Sequence, residues 1–207
     1  MPMQLIDKLK RQFEPNKLFL FSEIKEKGLT EAALKEELFR LSKQGEIKRY
    51  GYGIYYLPDP KQETPPSALE AISLRYLTDG KEVYGFYTGS DFLGNLMGRR
   101  VSLQEHLEIM TNKATSGKKT IYVFSKRITL RKPYFTINKN NISINSFLSY
   151  LSFAPLDEVK QNYSLLANYI RSNQLSANDV MKMATLFPAK TSTKLLATDL
   201  YRSLWKH

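Results

Sequence analysis

The residues of this chain best suited to chemistry are few and scattered. Gly89-Ser90-Asp91 has the form of the opening of a nucleotidyltransferase site, in which Gly-Ser cradles phosphates and two carboxylates hold magnesium. The second carboxylate is missing at close spacing, since Asn95 follows and no Asp-x-Asp pair occurs anywhere. A metal-dependent nuclease would need paired carboxylates on one face, but Glu105 and Glu108 stand three residues apart around a strand start and lack the two-residue alternation that would align them. Gly51-x-Gly53 and the stretch from Gly94 to Gly98 lack the strand, spacing and helix of a phosphate-binding fingerprint, and read as turn glycines. There is no cysteine, and of the two histidines, His106 and His207, the second is the last residue. Thiol catalysis, Cys-rich zinc sites and histidine triads are thereby disfavoured, and the expectation is a protein with no enzymatic activity, no metal and no cofactor.

What the chain has in abundance is positive charge. Lys and Arg number 31 against 20 Asp and Glu, a net charge of +11 that favours a polyanionic partner through counterion release and steering. The hydrophobic fraction of 42%, with 13 Tyr and 11 Phe, is enough for a folded core. No apolar run approaches the roughly 18 residues of a spanning helix, and Asp7 falls where a signal peptide would be apolar, so a cytoplasmic protein with no membrane partner is expected. The cations with the most telling spacing are Lys35, Arg40 and Lys43, which one helix would carry on one side, followed by Lys48, Arg49, Tyr50 and Tyr52 around Gly51 and Gly53.

Five elements must position them. Leu5, Leu9 and Phe13 recur at a helical period between charged residues, and Pro15-Asn16 ends that helix. Leu18–Phe21 is a short apolar strand leading to Ser22, a good N-cap for one helical segment around Ile24 that stops at Gly28. Thr30 caps a third helix, with Glu31 in its first turn and Gly45 as its stop. Along it Leu34, Leu38 and Leu41 form the buried line, leaving Ala32, Lys35, Glu36, Phe39, Arg40 and Lys43 outward. Glu36 opposes phosphate but can accept a hydrogen bond from a cytosine amino group. Two aromatic strands, Glu46–Tyr50 and Ile54–Leu57, then make a β-hairpin. Helix, strand, helix, turn, helix, hairpin is the order of a winged helix-turn-helix. The expected duplex contacts are Thr30, Lys35, Arg40 and Lys43 in the groove, with Ser22, Lys48, Arg49, Tyr50 and Tyr52 on phosphate or in the minor groove. The same scaffold also serves as a protein-docking module.

Four prolines between Pro58 and Pro66 mark a semi-stiff linker, which divides the chain into a DNA-binding domain (1–58), the linker (59–66) and a second domain (67–207). In the second domain a helix from Ser67 ends at Asp79-Gly80, and a short strand, a turn at Gly89 and a short helix follow. Strands are expected at His106–Thr111, Thr120–Phe124, Ile128–Arg131 and Tyr134–Ile137, in an antiparallel or mixed sheet. Helices are expected at Phe147–Phe153, Leu156–Arg171, Ala177–Leu186 and Thr193–Trp205. The fold class is therefore α+β: a winged helix-turn-helix, then a mixed α/β domain with a small sheet and C-terminal helices. Between Ile109 and Leu156 there is no Asp or Glu, while Lys113, Lys118, Lys119, Lys126, Arg127, Arg131, Lys132 and Lys139 form a second basic surface. It could touch flanking DNA, grip RNA or meet an acidic partner, or it could simply keep strand edges soluble.

Gly53-Ile-Tyr-Tyr-Leu-Pro58, the helix after it, Tyr87-Thr-Gly-Ser-Asp-Phe-Leu-Gly-Asn-Leu-Met-Gly98 and Leu107-Glu-Ile-Met-Thr-Asn112 occur in an order that resembles the AbiEi-type antitoxins of abortive-infection type IV toxin-antitoxin systems. The resemblance spans roughly Phe19 to Thr120, and the C-terminal helices agree in kind only. It implies a phage-defence operon whose antitoxin binds inverted repeats in its own promoter through the winged helix and represses it. It further implies that the C-terminal domain antagonises a nucleotidyltransferase-like toxin without a stable complex. Asp91 has no role in that picture. The alternative is an RNA- or protein-docking adaptor working through the basic sheet.

Overall fold

The computed structural model describes residues 4–24, 28–62, 64–99, 106–123 and 125–205. The chain is a mixed α and β protein that forms two compact units, Met1–Arg75 and Tyr76–His207.

In the first unit, α1 (Leu5–Gln12) turns Leu5, Ile6 and Leu9 into the core, where each contributes roughly 1.5–3 kcal/mol of apolar burial. Phe13, just past the helix, stacks on Phe19 of β1 (Leu18–Leu20) with ring centroids 4.0 Å apart, and Phe19 in turn stacks near Tyr55. The expected second helix is not found among the described residues. Phe21–Glu23 is a single 3-10 turn, closed because the Glu23 carboxylate accepts the Leu20 N–H at 2.6 Å; Ser22 lies inside it and makes no capping hydrogen bond to any of the described residues. Residues 25–27, the rest of that segment, lie outside the described residues. The next helix, α2 (Glu31–Lys43), begins and ends as its sequence dictates. Thr30 Oγ1 accepts the Ala33 N–H, and Gly45 takes a φ of +78° beyond the last turn. Leu34, Leu38 and Leu41 are its buried line.

β2 (Lys48–Gly51) and β3 (Ile54–Tyr56) pair antiparallel and β1 adds to β3, giving a three-stranded sheet in the order β1-β3-β2. The hairpin turn places both Tyr52 (φ +52°) and Gly53 (φ +76°) in the left-handed region, the geometry that matches the twist of paired strands. For Tyr52 this is unusual, and it is held there: Arg75 donates to the Tyr52 carbonyl at 2.6 Å and its guanidinium lies 5.2 Å from the Tyr52 ring centre. The proline-rich stretch belongs to this unit and is not a free linker. Asn16 donates to the Gln62 side chain at 2.9 Å and accepts the Asp59 N–H at 3.3 Å, and Pro66 is buried. The division falls later, after Arg75, along α3 (Ala68–Tyr76), which is opened by a reciprocal capping box between Ser67 and Glu70.

The second unit contains a four-stranded mixed sheet, β4 (Gly85–Tyr87), β5 (Leu107–Thr111), β6 (Lys118–Val123) and β7 (Lys126–Arg131), ordered β4-β5-β7-β6 with β5 and β7 parallel. Between β4 and β5 lies α4 (Ser90–Leu96), entered through Gly89. Tyr134–Ile137, expected as a strand, is irregular. It follows Pro133, and its backbone is satisfied by amide side chains rather than by a neighbouring strand: Asn112 exchanges two hydrogen bonds with Ile137, while Asn141 and Asn145 donate to the carbonyls of Thr136 and Phe135.

The C-terminal helices surround α5 (Ile142–Phe153), buried without interruption from Ile144 to Ser152, which is why it shows no amphipathic stripe. Its last carbonyls are capped by Lys194, which donates to Leu151 and Ala154. Two expected long helices are each broken. Leu156–Arg171 becomes α6 (Leu156–Gln161) and α7 (Tyr163–Ser172), parted at Asn162. The last segment becomes α9 (Ala189–Ala197) and α10 (Leu200–Ser203), parted at Asp199 with φ +56°. Between them, α8 (Ala177–Ala184) is capped by Ser176 as expected. No helix among the described residues is long and apolar enough to cross a membrane.

Candidate nucleic-acid interface

The outward side of α2 carries what its helical phase predicts: Ala32, Lys35, Glu36, Phe39, Arg40 and Lys43 are all exposed. Two of the three cations are nevertheless occupied. Lys35 pairs with Glu31 one turn earlier, and Arg40 pairs with Glu37 through both its Nε and Nη2. Hydrogen bonding to Lys35 and to Arg40 holds the Glu31 and Glu37 carboxyls below the ordinary range and raises the Arg40 guanidinium. With three acids and three bases between Glu31 and Lys43, α2 is electrically balanced. The pairings are visible in the sequence as i,i+4 and i,i+3 spacings. Only Lys43 has no acid partner among the described residues; its ammonium sits 5.2 Å from the Phe39 ring centre, as that of Lys35 sits 5.6 Å from Phe21.

Beside this helix the hairpin carries residues on both of its faces. Arg49 stands opposite Tyr55, so its side chain lies on the same side of the sheet as the Phe19–Tyr55 stack. There it joins Phe21, Lys35, Phe39 and Ser42 around a cleft of about 510 Å³. Lys48 and Tyr50 face the other way. Lys48 is exposed, but Tyr50 is half-buried edge-on against Tyr56, and burial followed by the nearby Glu70 pushes its hydroxyl above the ordinary range. Tyr50 is thus a packing residue, whereas Tyr52 at the turn remains exposed under Arg75. Ser22 is exposed in its 3-10 turn, and Thr30 commits its hydroxyl oxygen to the helix cap. Lys35 and Phe39 of α2 therefore share the cleft with Arg49, Arg40 and Lys43 lie exposed on the same outward side of the helix, and Lys48 and Tyr52 lie farther along the hairpin.

Because Glu37 competes for the Arg40 guanidinium, Glu37→Gln is expected to tighten binding to duplex DNA by about twofold to fivefold, the worth of an exposed ion pair. Unchanged or weaker binding in a salt-matched titration would mean that Arg40 does not meet phosphate.

The second basic surface is less uniform than its sequence implies. Arg131 is committed: its Nε and Nη2 both bond the Glu108 carboxylate at 3.2 and 3.1 Å, and its guanidinium lies 4.4 Å from the Phe153 ring centre. Lys113 covers the Tyr84 ring at 4.7 Å. Lys118, Lys119, Arg127, Lys132 and Lys139 are exposed and Lys126 is half-exposed, with Tyr122 directly opposite Arg127 on the edge hairpin. Asp91 acquires a structural place in this unit. It is buried in the first turn of α4, its Oδ2 accepts the Glu108 N–H at 3.3 Å, and, after burial itself, it helps push the Tyr87 hydroxyl up to about 12. Glu105 lies outside the described residues, as does His207, and His106 bonds the Thr129 hydroxyl at 2.9 Å. Among the described residues no three acids or histidines gather in a way that could hold a metal ion. Comparison of the chain with protein-family models, with curated proteins and with solved structures finds no match, so the meaning of these surfaces rests on their own residues.

Proposed function

We propose that this protein is a DNA-binding transcriptional regulator whose first unit works as a winged helix, with α2 in the major groove and the β2–β3 hairpin as the wing. The observation that carries the reading is the exposed side of α2, which bears Lys35, Phe39, Arg40 and Lys43, whose Lys35 and Phe39 line a cleft with Arg49 of the hairpin, and which no element among the described residues of the first unit covers. Following the resemblance in motif order, the fuller reading is an antitoxin that acts in the cytoplasm. It represses its own abortive-infection operon at promoter inverted repeats, and it opposes a nucleotidyltransferase-like toxin through its second unit without a lasting complex. No catalytic step is assigned to the chain itself.

The test is a gel shift of the full protein with its own upstream DNA, against an unrelated duplex and a single-stranded RNA of equal length. Preferential retardation of the upstream duplex, weakening linearly in the logarithm of salt concentration, is expected. A second reading, an RNA-docking adaptor, draws on one observation: Tyr122, 70% exposed, stands opposite Arg127 beside exposed lysines on the edge of the second sheet, a pattern suited to stacking unpaired bases. Preference for the RNA in the same gel would favour the adaptor and end the regulator reading.

A further inference from the structure

Phe39 is 62% exposed at the middle of the outward side of α2, with Lys35, Arg40 and Lys43 around it. A large apolar ring in water, with Lys43 over it and Lys35 and Arg40 beside it on the same outward side, suits a polyanion that offers a local apolar group. Lys43 holds its ammonium over the ring, and Arg49 and Lys35 line the cleft that the ring borders. Cations on either flank would meet the two phosphate walls of a groove, leaving the side chain between them to meet base edges. Phenylalanine can neither donate nor accept a hydrogen bond. In the major groove only one base group is apolar, the 5-methyl of thymine.

We infer that Phe39 is the specificity-determining residue of α2 and that it reads thymine methyl groups in the operator; this rests on α2 being the duplex-facing helix. Glu36, exposed and one turn before it on the same face, lies about 4.5 Å along the helix axis, between one and two base steps of about 3.4 Å. As an acceptor it suits a cytosine amino group, so the favoured contact is a thymine neighbouring a cytosine. The cations then contribute affinity for any sequence, and the uncharged ring contributes the choice among sequences.

The experiment compares the upstream duplex with the same duplex made with deoxyuridine in place of thymidine, which removes the methyls and leaves every hydrogen-bonding group. The wild-type protein is expected to bind the uridine duplex about fourfold more weakly for each thymine contacted, the worth of one buried methyl-sized group. Phe39→Ala should bind the two duplexes alike, and Phe39→Leu should keep part of the difference. Helix content by circular dichroism checks that Phe39→Ala is folded. A wild type indifferent to the methyls while still preferring its upstream DNA overturns the assignment of Phe39 alone, as does a Phe39→Ala variant that keeps the full difference. A wild type that binds neither duplex overturns the regulator reading and this inference with it.

Discussion

Replacing Arg40, Lys43 and Arg49 together by alanine is expected to weaken binding of the upstream duplex on the order of a hundredfold and to flatten its salt dependence. Each phosphate neutralised by a cation adds about 0.9 to the slope of log affinity against log salt, so the loss of three contacts lowers that slope by up to about 2.7. The three are chosen because each is exposed and because they come from two elements, α2 and the hairpin, that the fold of the first unit sets side by side. They need not contribute equally. Arg40 must exchange its bond to Glu37 for a phosphate, whereas Lys43 and Arg49 have no acid to leave among the described residues. All three lie away from the buried line of Leu34, Leu38 and Leu41, so the variant should remain folded. Equal affinity and an unchanged slope in the triple variant would remove α2 and the hairpin from any account of duplex binding.

The second large effect concerns stability. A β-carbon at Gly85 would lie 2.0 Å from the carbonyl oxygen of Tyr76 and 2.9 Å from that of Met110, distances at which backbone must move. Gly85 stands on β4 opposite Thr111, and its N–H and that of Tyr84 both bond the Leu77 carbonyl, so two chain segments meet there with room only for hydrogen. Gly85→Ala is therefore expected to cost about 3 kcal/mol or more, at the upper end of overpacking effects, and to lower the melting temperature by roughly 10 °C. A melting curve within about 2 °C of wild type would show that the close approach does not exist in solution.

Local signals in the chain were legible wherever one residue's chemistry acts on its own neighbours. Thr30 and Gly45 bound α2, Ser176 starts α8, the Tyr52-Gly53 turn makes a hairpin, and a leucine every three or four residues names the buried line of α2. These depend on backbone groups a few positions away, which sequence spacing specifies. The charge pairs on α2 belong to the same class: helical phase says which cations face outward, and only the acids at i−4 and i−3 say which of them are already engaged.

What required the folded chain was every choice among partners far apart in sequence. Tyr134–Ile137 has the composition of a strand, yet the Asn112 side chain, brought in from another segment, occupies its hydrogen-bonding groups. Arg131 reads as one more surface cation until parallel pairing of β5 with β7 puts Glu108 on its side of the sheet. The proline stretch reads as a linker until Asn16 binds it to the first unit. In each case short-range preference was weak, and a hydrogen bond or ion pair from a distant residue was worth more than that preference. Composition and spacing alone determined that this is a basic, cysteine-free chain with a capped helix followed by an aromatic hairpin. Tertiary structure alone decided which cations outside α2 are engaged, as Glu108 engages Arg131, because there availability depends on whether a distant part of the same chain has reached them first.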